Sequence, residues 1–414
     1  MSIDKNKNNI GLACAGGAIE GAAYEIGALC ALDETLDGVS FNQLDTYVGV
    51  SAGAFINSCL ANGITPKQLA RAIMSQKNGL LPIMPEHFFT PALQEYKKRL
   101  MQLPRVAWST LYNYLQNPLD LSLAGSLLNI MGILPTGLFT NENMEHYLRQ
   151  NFELEGYTNN FADLKPVLRV VATNLDTGEA VRFGEYPHQN VSISKAVQAS
   201  TALPLFYKPV EVNGSYFIDG IARRTVHASV ALKNGADLVF CVNPIMPYNV
   251  KKQRDIDQHI KHSLADKGLP TVLSQTFRLM IASRMRTGFR NYSYTHPDAD
   301  FVLVEPDPGN YRMFFTNIFS FSKRKEVCEM AYHDTRRHLR EKLKPLCQKL
   351  ARYDISINRS VLFDDSRTLF QDGELDPKAN TPAGVLNDMD DVLERLNKLI
   401  AGYDNKKAEN IAAA

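Results

Sequence analysis

No stretch of this chain offers the roughly 18 uninterrupted apolar residues of a membrane-spanning helix. Neither charge is in excess: 45 Lys plus Arg stand against 44 Asp plus Glu, which argues against a nucleic-acid binder, whose domain is usually basic throughout. Cysteine is sparse. Cys14, Cys30, Cys59, Cys241, Cys328 and Cys347 show no close pairing and each lies in an apolar segment, so reduced thiols and a cytosolic compartment are expected. The N-terminus has lysines ahead of an apolar run, but Glu20 and Glu25 interrupt it, so no signal peptide is expected. Internal repeats are lacking, and only one tryptophan occurs among 414 residues that are 45% hydrophobic, a balance that suits a soluble α/β protein.

What is present begins as β-turn-α-β-turn-α: a strand "IGLACA", a glycine-rich turn "GGAIEG", a helix "AAYEIGALCALDE", then the strand "DTYVGV" and a second helix "AGAFINSCLANG". That is the opening of a parallel sheet covered by helices. Further strands are read at "VLRVVAT", "EAVRFG", "SYFID", "DLVFCVN" and "DFVLVEP", continuing the same sheet, with helices at "TVLSQTFRLMIASRMRTGF" and "KRKEVCEMAYHDTRRHLREKL". Residues 353–380 read as an acidic linker. Beyond it, Leu386, Met389, Leu393, Leu396 and Ile400 recur at helical spacing, an amphipathic helix that packs locally or seams two copies together.

Ser51 stands between the second strand and helix as G-x-S-x-G, with Gly49 and Gly53 to either side. Such a pattern is either a tight entry to a buried helix or a nucleophile elbow, in which strained geometry exposes the hydroxyl and small neighbours let strand and helix backbones approach. An acyl-transfer serine also needs backbone N–H groups aimed at the developing oxyanion. The turn Ala15-Gly16-Gly17-Ala18 ends the first strand, so in a parallel sheet it emerges at the same edge as Ser51. Its spacing fits neither G-x-G-x-x-G nor the P-loop, and Glu20 would repel a phosphate, leaving an oxyanion turn or a plain tight turn. For the base, two candidates remain: His296, late in the chain between a helix and a strand, and Asp219, a carboxylate at a strand end that is otherwise a simple Asp-Gly turn.

Taken in order, "IGLACA", "GGAIEGAAYEIGAL", "GVSAGAF", "ATNLDTGEAVRF", "AVQASTALPLFYKPVEVNG", "YFIDG" and "GADLVFCVNP" resemble the patatin-like phospholipase family over most of residues 8–245. The resemblance implies a three-layer α/β/α fold with a mostly parallel central sheet and a Ser-Asp dyad without a catalytic histidine. It implies Ser51 as nucleophile, Asp219 as its base, Gly16, Gly17 and Ala18 as the oxyanion hole, and no cofactor or metal. The chain departs from the family's pattern in three places. Ala15 replaces the first glycine of the turn, with Ile19-Glu20 in the slot of a basic residue; Gly220-Ile221 follows the aspartate; and Arg224 and His227 stand where Asn and Pro are frequent. Glu20 near the mouth would disfavour anionic head groups unless Arg223 or Arg224 compensates.

On this reading residues 1–350 form the hydrolase domain and residues 351–414 a linker with the C-terminal helix. Within the domain, residues 77–137 form a helical apolar insertion holding Phe88, Phe89, Trp108, Leu121, Leu128 and Met131 beside Lys97, Lys98 and Arg99. The insertion caps an acyl pocket or touches a bilayer, or else packs its own core. Arg278, Arg284, Arg286 and Arg290 form either a membrane-facing stripe or a solvated helix face. The expected activity is cleavage of fatty acyl esters of lipids, of phospholipase A or lysophospholipase type, in the cytoplasm with peripheral membrane contact. Two rivals stand beside it: a histidine-dependent esterase or thioesterase, and a non-catalytic lipid-binding or scaffold protein.

Overall fold

The computed structural model describes residues 8–74, 82–93, 95–97, 101, 135–252, 263–310, 313 and 321–370. It opens with strand β1 (Ile10–Cys14), helix α1 (Ala18–Thr35), a short strand β2 (Leu36–Asp37), strand β3 (Thr46–Val50) and helix α2 (Ala52–Ala61). Strands β1 and β3 are covered on both faces, which is why they read as continuous apolar runs. Helix α3 (Pro66–Ile73) starts where the Thr65 hydroxyl accepts the Gln68 amide and Pro66 presets the first turn. Short strands β4 (Thr90–Pro91) and β5 (Gly137–Thr140) precede helix α4 (Glu142–Phe152).

Strands β6 (Val167–Asn174) and β7 (Ala180–Phe183) follow, then helix α5 (Ile193–Ser200), capped by the Ser192 hydroxyl. Next come strands β8 (Leu205–Tyr207), β9 (Val210–Val212) and β10 (Ser215–Asp219), helix α6 (Ala228–Lys233) and strand β11 (Leu238–Val242). The long helix α7 (Leu269–Thr295), strand β12 (Asp300–Val304), helices α8 (Arg324–Glu341) and α9 (Leu343–Leu350), strand β13 (Ser356–Ile357) and the single-turn helix α10 (Arg359–Leu362) complete the described chain.

The main sheet has the order β12-β11-β1-β3-β6-β10-β9, with β7 also on β6. From β12 to β6 every neighbouring pair is parallel; β7 and β10 run antiparallel to β6, and β9 antiparallel to β10. Successive residues of a strand point to opposite faces. On one face Ala13, Val48 and Val239 join a core with Ala228 and Ala231 of α6 and Met285 and Tyr292 of α7. On the other, α1, α2 and α8 pack together, and α1 comes so close to α8 that a side chain at Gly27 would collide with the Cys328 carbonyl. The result is an α/β fold with helices on both sides of a mixed, mostly parallel sheet. All six cysteines are free, and all but Cys347 are buried.

One segment differs from its sequence expectation. Residues from Tyr353, read as the start of a linker, are built into the fold through Leu362: β13 pairs antiparallel with β2, Ile355 and Leu362 are buried, and Arg336 donates to the carbonyls of Leu362 and Asp364. The strand was missed because β13 is only two residues long and its partner lies over 300 residues earlier. The chain divides into a unit of residues 1–364 and a second of residues 365–414. The amphipathic C-terminal helix and the two-copy seam expected of it lie outside the described residues. So do Trp108, Leu121, Leu128, Met131, Lys98 and Arg99 of the insertion.

Candidate active site

Ser51 follows the last residue of β3 directly and is the N-cap of α2. Its φ of 54° and ψ of −121° put a non-glycine residue in a sparsely populated region, which costs on the order of 1–3 kcal/mol and persists only where the surroundings over-determine it. They do so from three sides. The Ser51 amide donates to the Ser200 hydroxyl at 2.8 Å, and that hydroxyl donates onward to the Val171 carbonyl of β6 at 2.6 Å. The Ser51 carbonyl accepts from Ala54 at 3.0 Å, and the Gly53 amide donates to the Ala15 carbonyl at 2.8 Å, which ties the elbow to the neighbouring turn. Gly49 and Gly53 are required by contact: a Cβ at Gly49 would strike the backbone of Ala54, and one at Gly53 the backbone of Cys14 and Ala15.

The turn from Ala15 to Ala18 leaves β1 beside the elbow, with the Ala15 amide still in the sheet, donating to Val242 at 3.0 Å. Gly16 lies over the serine; a Cβ there would sit 2.9 Å from Ser51 Cβ and 3.5 Å from its Oγ. Ala18 has φ 53°, so the turn is bent out of the ordinary allowed region at its last residue as well. Among the described residues, no acceptor takes the amides of Gly16, Gly17, Ala18 or Ala52. Helices α1 and α2 both begin here, with Gly17 and Ser51 as their N-caps, so two helix N-termini bias the site toward negative charge. The Ala52 amide is a donor the sequence reading did not single out.

Asp219 reaches the same place by register. Strand β10 runs against β6, and Asp219 pairs with Ala172; Val50 pairs with Val171 on the other side of β6, so Ser51 and Asp219 end level with each other. The residues stand two strands apart, roughly 10 Å between backbones, a gap that two side chains reaching toward one another can close. The serine is close enough to hold the Asp219 carboxyl down against its burial. The Asp219 carboxylate also accepts the Ile221 amide at 2.9 Å, while its own amide donates to Ala202 at 2.9 Å. Asp219 is 1% exposed. Burial pushes its carboxyl up to about 7, against the stabilising pull of the Ser51 and Ile221 hydrogen bonds.

The histidines arrange themselves differently from the rival expectation. His296 is at the C-terminal end of α7, just before β12 enters the sheet, and its ring lies 2.8 Å from the Thr295 hydroxyl. Because β12 is parallel to β1 and β3, this is the edge opposite Ser51, so the structure does not bring His296 to the serine. His227, eight residues after Asp219, is buried, pushed down to about 4 first by burial and then by the Arg224 charge, and among the described residues its Nε2 has no hydrogen-bond partner.

Glu20 is a correction. It is buried, 3% exposed, rather than at the mouth. Burial pushes it up to about 8 while the Arg278 charge opposes that rise. Arg278 therefore leaves the exposed stripe in which its sequence spacing placed it and donates instead to the carbonyls of Met246 and Met313. Arg223 and Arg224 are exposed beside the turn after Asp219.

A model of the patatin-like phospholipase family matches residues 12–232, more than half of the chain and the whole of the segment that carries Ser51 and Asp219. The chain belongs to the patatin-like phospholipase family. A curated relative, the "Probable lipid hydrolase 463L" of Invertebrate iridescent virus 6, is 22% identical over 228 residues, covering 54% of this patatin-like chain. The match spans 63% of that viral protein's length. Among solved structures, VipD from Legionella pneumophila aligns at 16% identity and a TM-score of 0.33, covering 81% of this chain and 67% of VipD. The ExoU-SpcU complex from Pseudomonas aeruginosa aligns at 14% identity and a TM-score of 0.30, covering 82% and 52% of the respective chains.

Proposed function

We propose that the chain is a serine acyl hydrolase acting on fatty acyl esters of lipids through a Ser51–Asp219 dyad. The observation that carries this reading is the strand register that brings a serine on a strained elbow level with a buried carboxyl whose proton affinity sits near neutrality. Asp219 takes the Ser51 proton as Oγ attacks the ester carbonyl, and the amides of Gly16, Gly17, Ala18 and Ala52 receive the oxyanion. Collapse expels the alcohol, which takes the proton back from Asp219, leaving an acyl ester on Ser51. A water then gives its proton to Asp219 and attacks the acyl carbon, and the proton returns to Ser51 as the fatty acid leaves. Membership of the patatin-like phospholipase family and the name of the viral relative support lipid as the substrate class.

The test is hydrolysis of a short p-nitrophenyl acyl ester and of a dispersed phospholipid by wild type, Ser51→Ala and Asp219→Asn, each verified as folded. Both substitutions are expected to abolish turnover of both substrates, and the wild type is expected to label with a fluorophosphonate probe. Undiminished turnover in Ser51→Ala would overturn the dyad. A wild type inert to substrate and probe alike would favour the non-catalytic rival.

A further inference from the structure

The buried side of α7 is one stripe, Arg278, Ala282, Met285 and Tyr292. Its opposite side changes character along the axis. Over the first three turns or so it carries Leu269, Val272, Leu273, Phe277, Leu279 and Met280, each between 41% and 69% exposed. At about 100° per residue these six fill an arc of roughly 160° centred opposite the buried stripe. Farther along, exposed Arg284 and Arg290 stand on the same arc and exposed Arg286 about 20° beyond its edge, and residues 269–295 contain no Asp or Glu. Among the described residues, the acids that face the helix from other elements are Glu20, set against buried Arg278, and Glu305, which faces Arg286.

A contiguous exposed apolar surface of this kind marks an interaction site, and apolar turns running into arginines fit a layer that is greasy inside and anionic at its surface. A second copy of the chain would offer the arginines no carboxylate from this face. The helix also borders the candidate active site: Arg284 donates to the Ala222 carbonyl at 3.4 Å, in the turn that follows Asp219. We propose that the exposed face of α7 docks the protein on an anionic phospholipid bilayer, its apolar turns entering the headgroup boundary and Arg284, Arg286 and Arg290 engaging the lipid anions. The inference takes its purpose from the lipid-hydrolase reading, but its geometry is independent of it.

The experiment is co-sedimentation of the full chain, carrying Ser51→Ala so that the vesicles stay intact, with vesicles of phosphatidylcholine alone or mixed with about one-third phosphatidylserine. Binding is expected to be stronger on the anionic vesicles and to weaken with salt. Arg286→Gln with Arg290→Gln should lose roughly twentyfold on anionic vesicles, at about fivefold per arginine, with little change on neutral ones. Phe277→Ser with Met280→Ser should lose binding to both. Each pair, placed in the Ser51-intact chain, should keep the wild-type melting temperature and turnover of a soluble monomeric ester. Variants that bind as wild type does, or an equal preference for both vesicles, would overturn the proposal. So would a wild-type dimer that Phe277→Ser dissociates, since the face would then belong to a second copy. Vesicle binding is read without hydrolysis, so loss of the dyad reading leaves this result standing, and failure to dock leaves the dyad reading untouched.

Discussion

The backbone amide of Ser51 is held by the hydroxyl of Ser200, a fully buried side chain at the last residue of α5, which in turn is anchored on Val171 of β6. One hydroxyl thus fixes the elbow of β3 to the neighbouring strand. Removing it in Ser200→Ala leaves the buried Ser51 N–H without its acceptor and takes one donor from the Val171 carbonyl, a penalty of about 1–3 kcal/mol for a buried group that water cannot reach. We expect Ser200→Ala to lower stability by about 2 kcal/mol in denaturant unfolding and to lower kcat on a soluble ester by at least about tenfold, with KM nearly unchanged, because the strained φ of Ser51 loses a restraint. A stability loss with kcat intact would make Ser200 a packing residue only.

Activity and stability make opposite pH demands on this site. A base must be unprotonated, so kcat/KM should rise with pH and level off above an apparent value of about 7, the affinity that burial gives Asp219. Stability runs the other way. Both carboxyls bind protons more tightly folded than unfolded, Asp219 rising from 3.8 to about 7 and Glu20 from 4.5 to about 8. Their protonated forms therefore favour the folded state, a contribution complete below about pH 4 and lost as pH rises through 7 to 8. Melting temperature measured across pH 5 to 9 should fall as activity rises, and Asp219→Asn should flatten that fall.

The elbow was legible because its requirements are local: a strand end, small residues at fixed offsets, a helix after them. The glycine turn and the five parallel strands were legible for the same reason, each being an apolar run bounded by turn residues. Glu20 was misplaced because nothing within ten residues says what covers it; Arg278 does, 258 positions later, on a helix whose arginine spacing looked uniformly exposed. Ser200 went unremarked for a related reason. A serine in "AVQAST" carries no motif, and its role exists only once α5 packs on β6 and its last residue meets the Ser51 amide. His296 looked plausible by chain position alone, and strand direction removed it.

Glu20→Gln separates the two buried carboxyls. The amide keeps the shape and stays neutral, so below about pH 4, where Glu20 is protonated both folded and unfolded, stability should change by less than about 1 kcal/mol. As pH rises from there toward 8 the unfolded wild type ionises while the folded one does not, so the variant should become steadily the more stable one and the gap should level off above pH 8, with the activity midpoint near 7 unmoved because Asp219 is untouched. A midpoint that shifts with Glu20→Gln would tie the first turn of α1 to the base.

Gly16→Ala tests the turn above the serine. The new methyl would stand 2.9 Å from Ser51 Cβ, closer than side-chain carbons approach one another, and 3.5 Å from both Oγ and Ile221 Cδ1. Something must give, and two outcomes are open: the serine rotates away from Asp219, or the turn lifts and carries its amides off the site. Either one breaks the alignment of nucleophile, base and oxyanion donors while leaving the sheet intact. We expect activity to fall by at least about a hundredfold, the scale of losing one oxyanion donor, with a melting temperature within a few degrees of wild type. Fluorophosphonate labelling tells the outcomes apart. A rotated serine labels slowly and stays slow at high pH, whereas a lifted turn leaves Ser51 paired with Asp219 and keeps the wild-type pH midpoint at a lower rate.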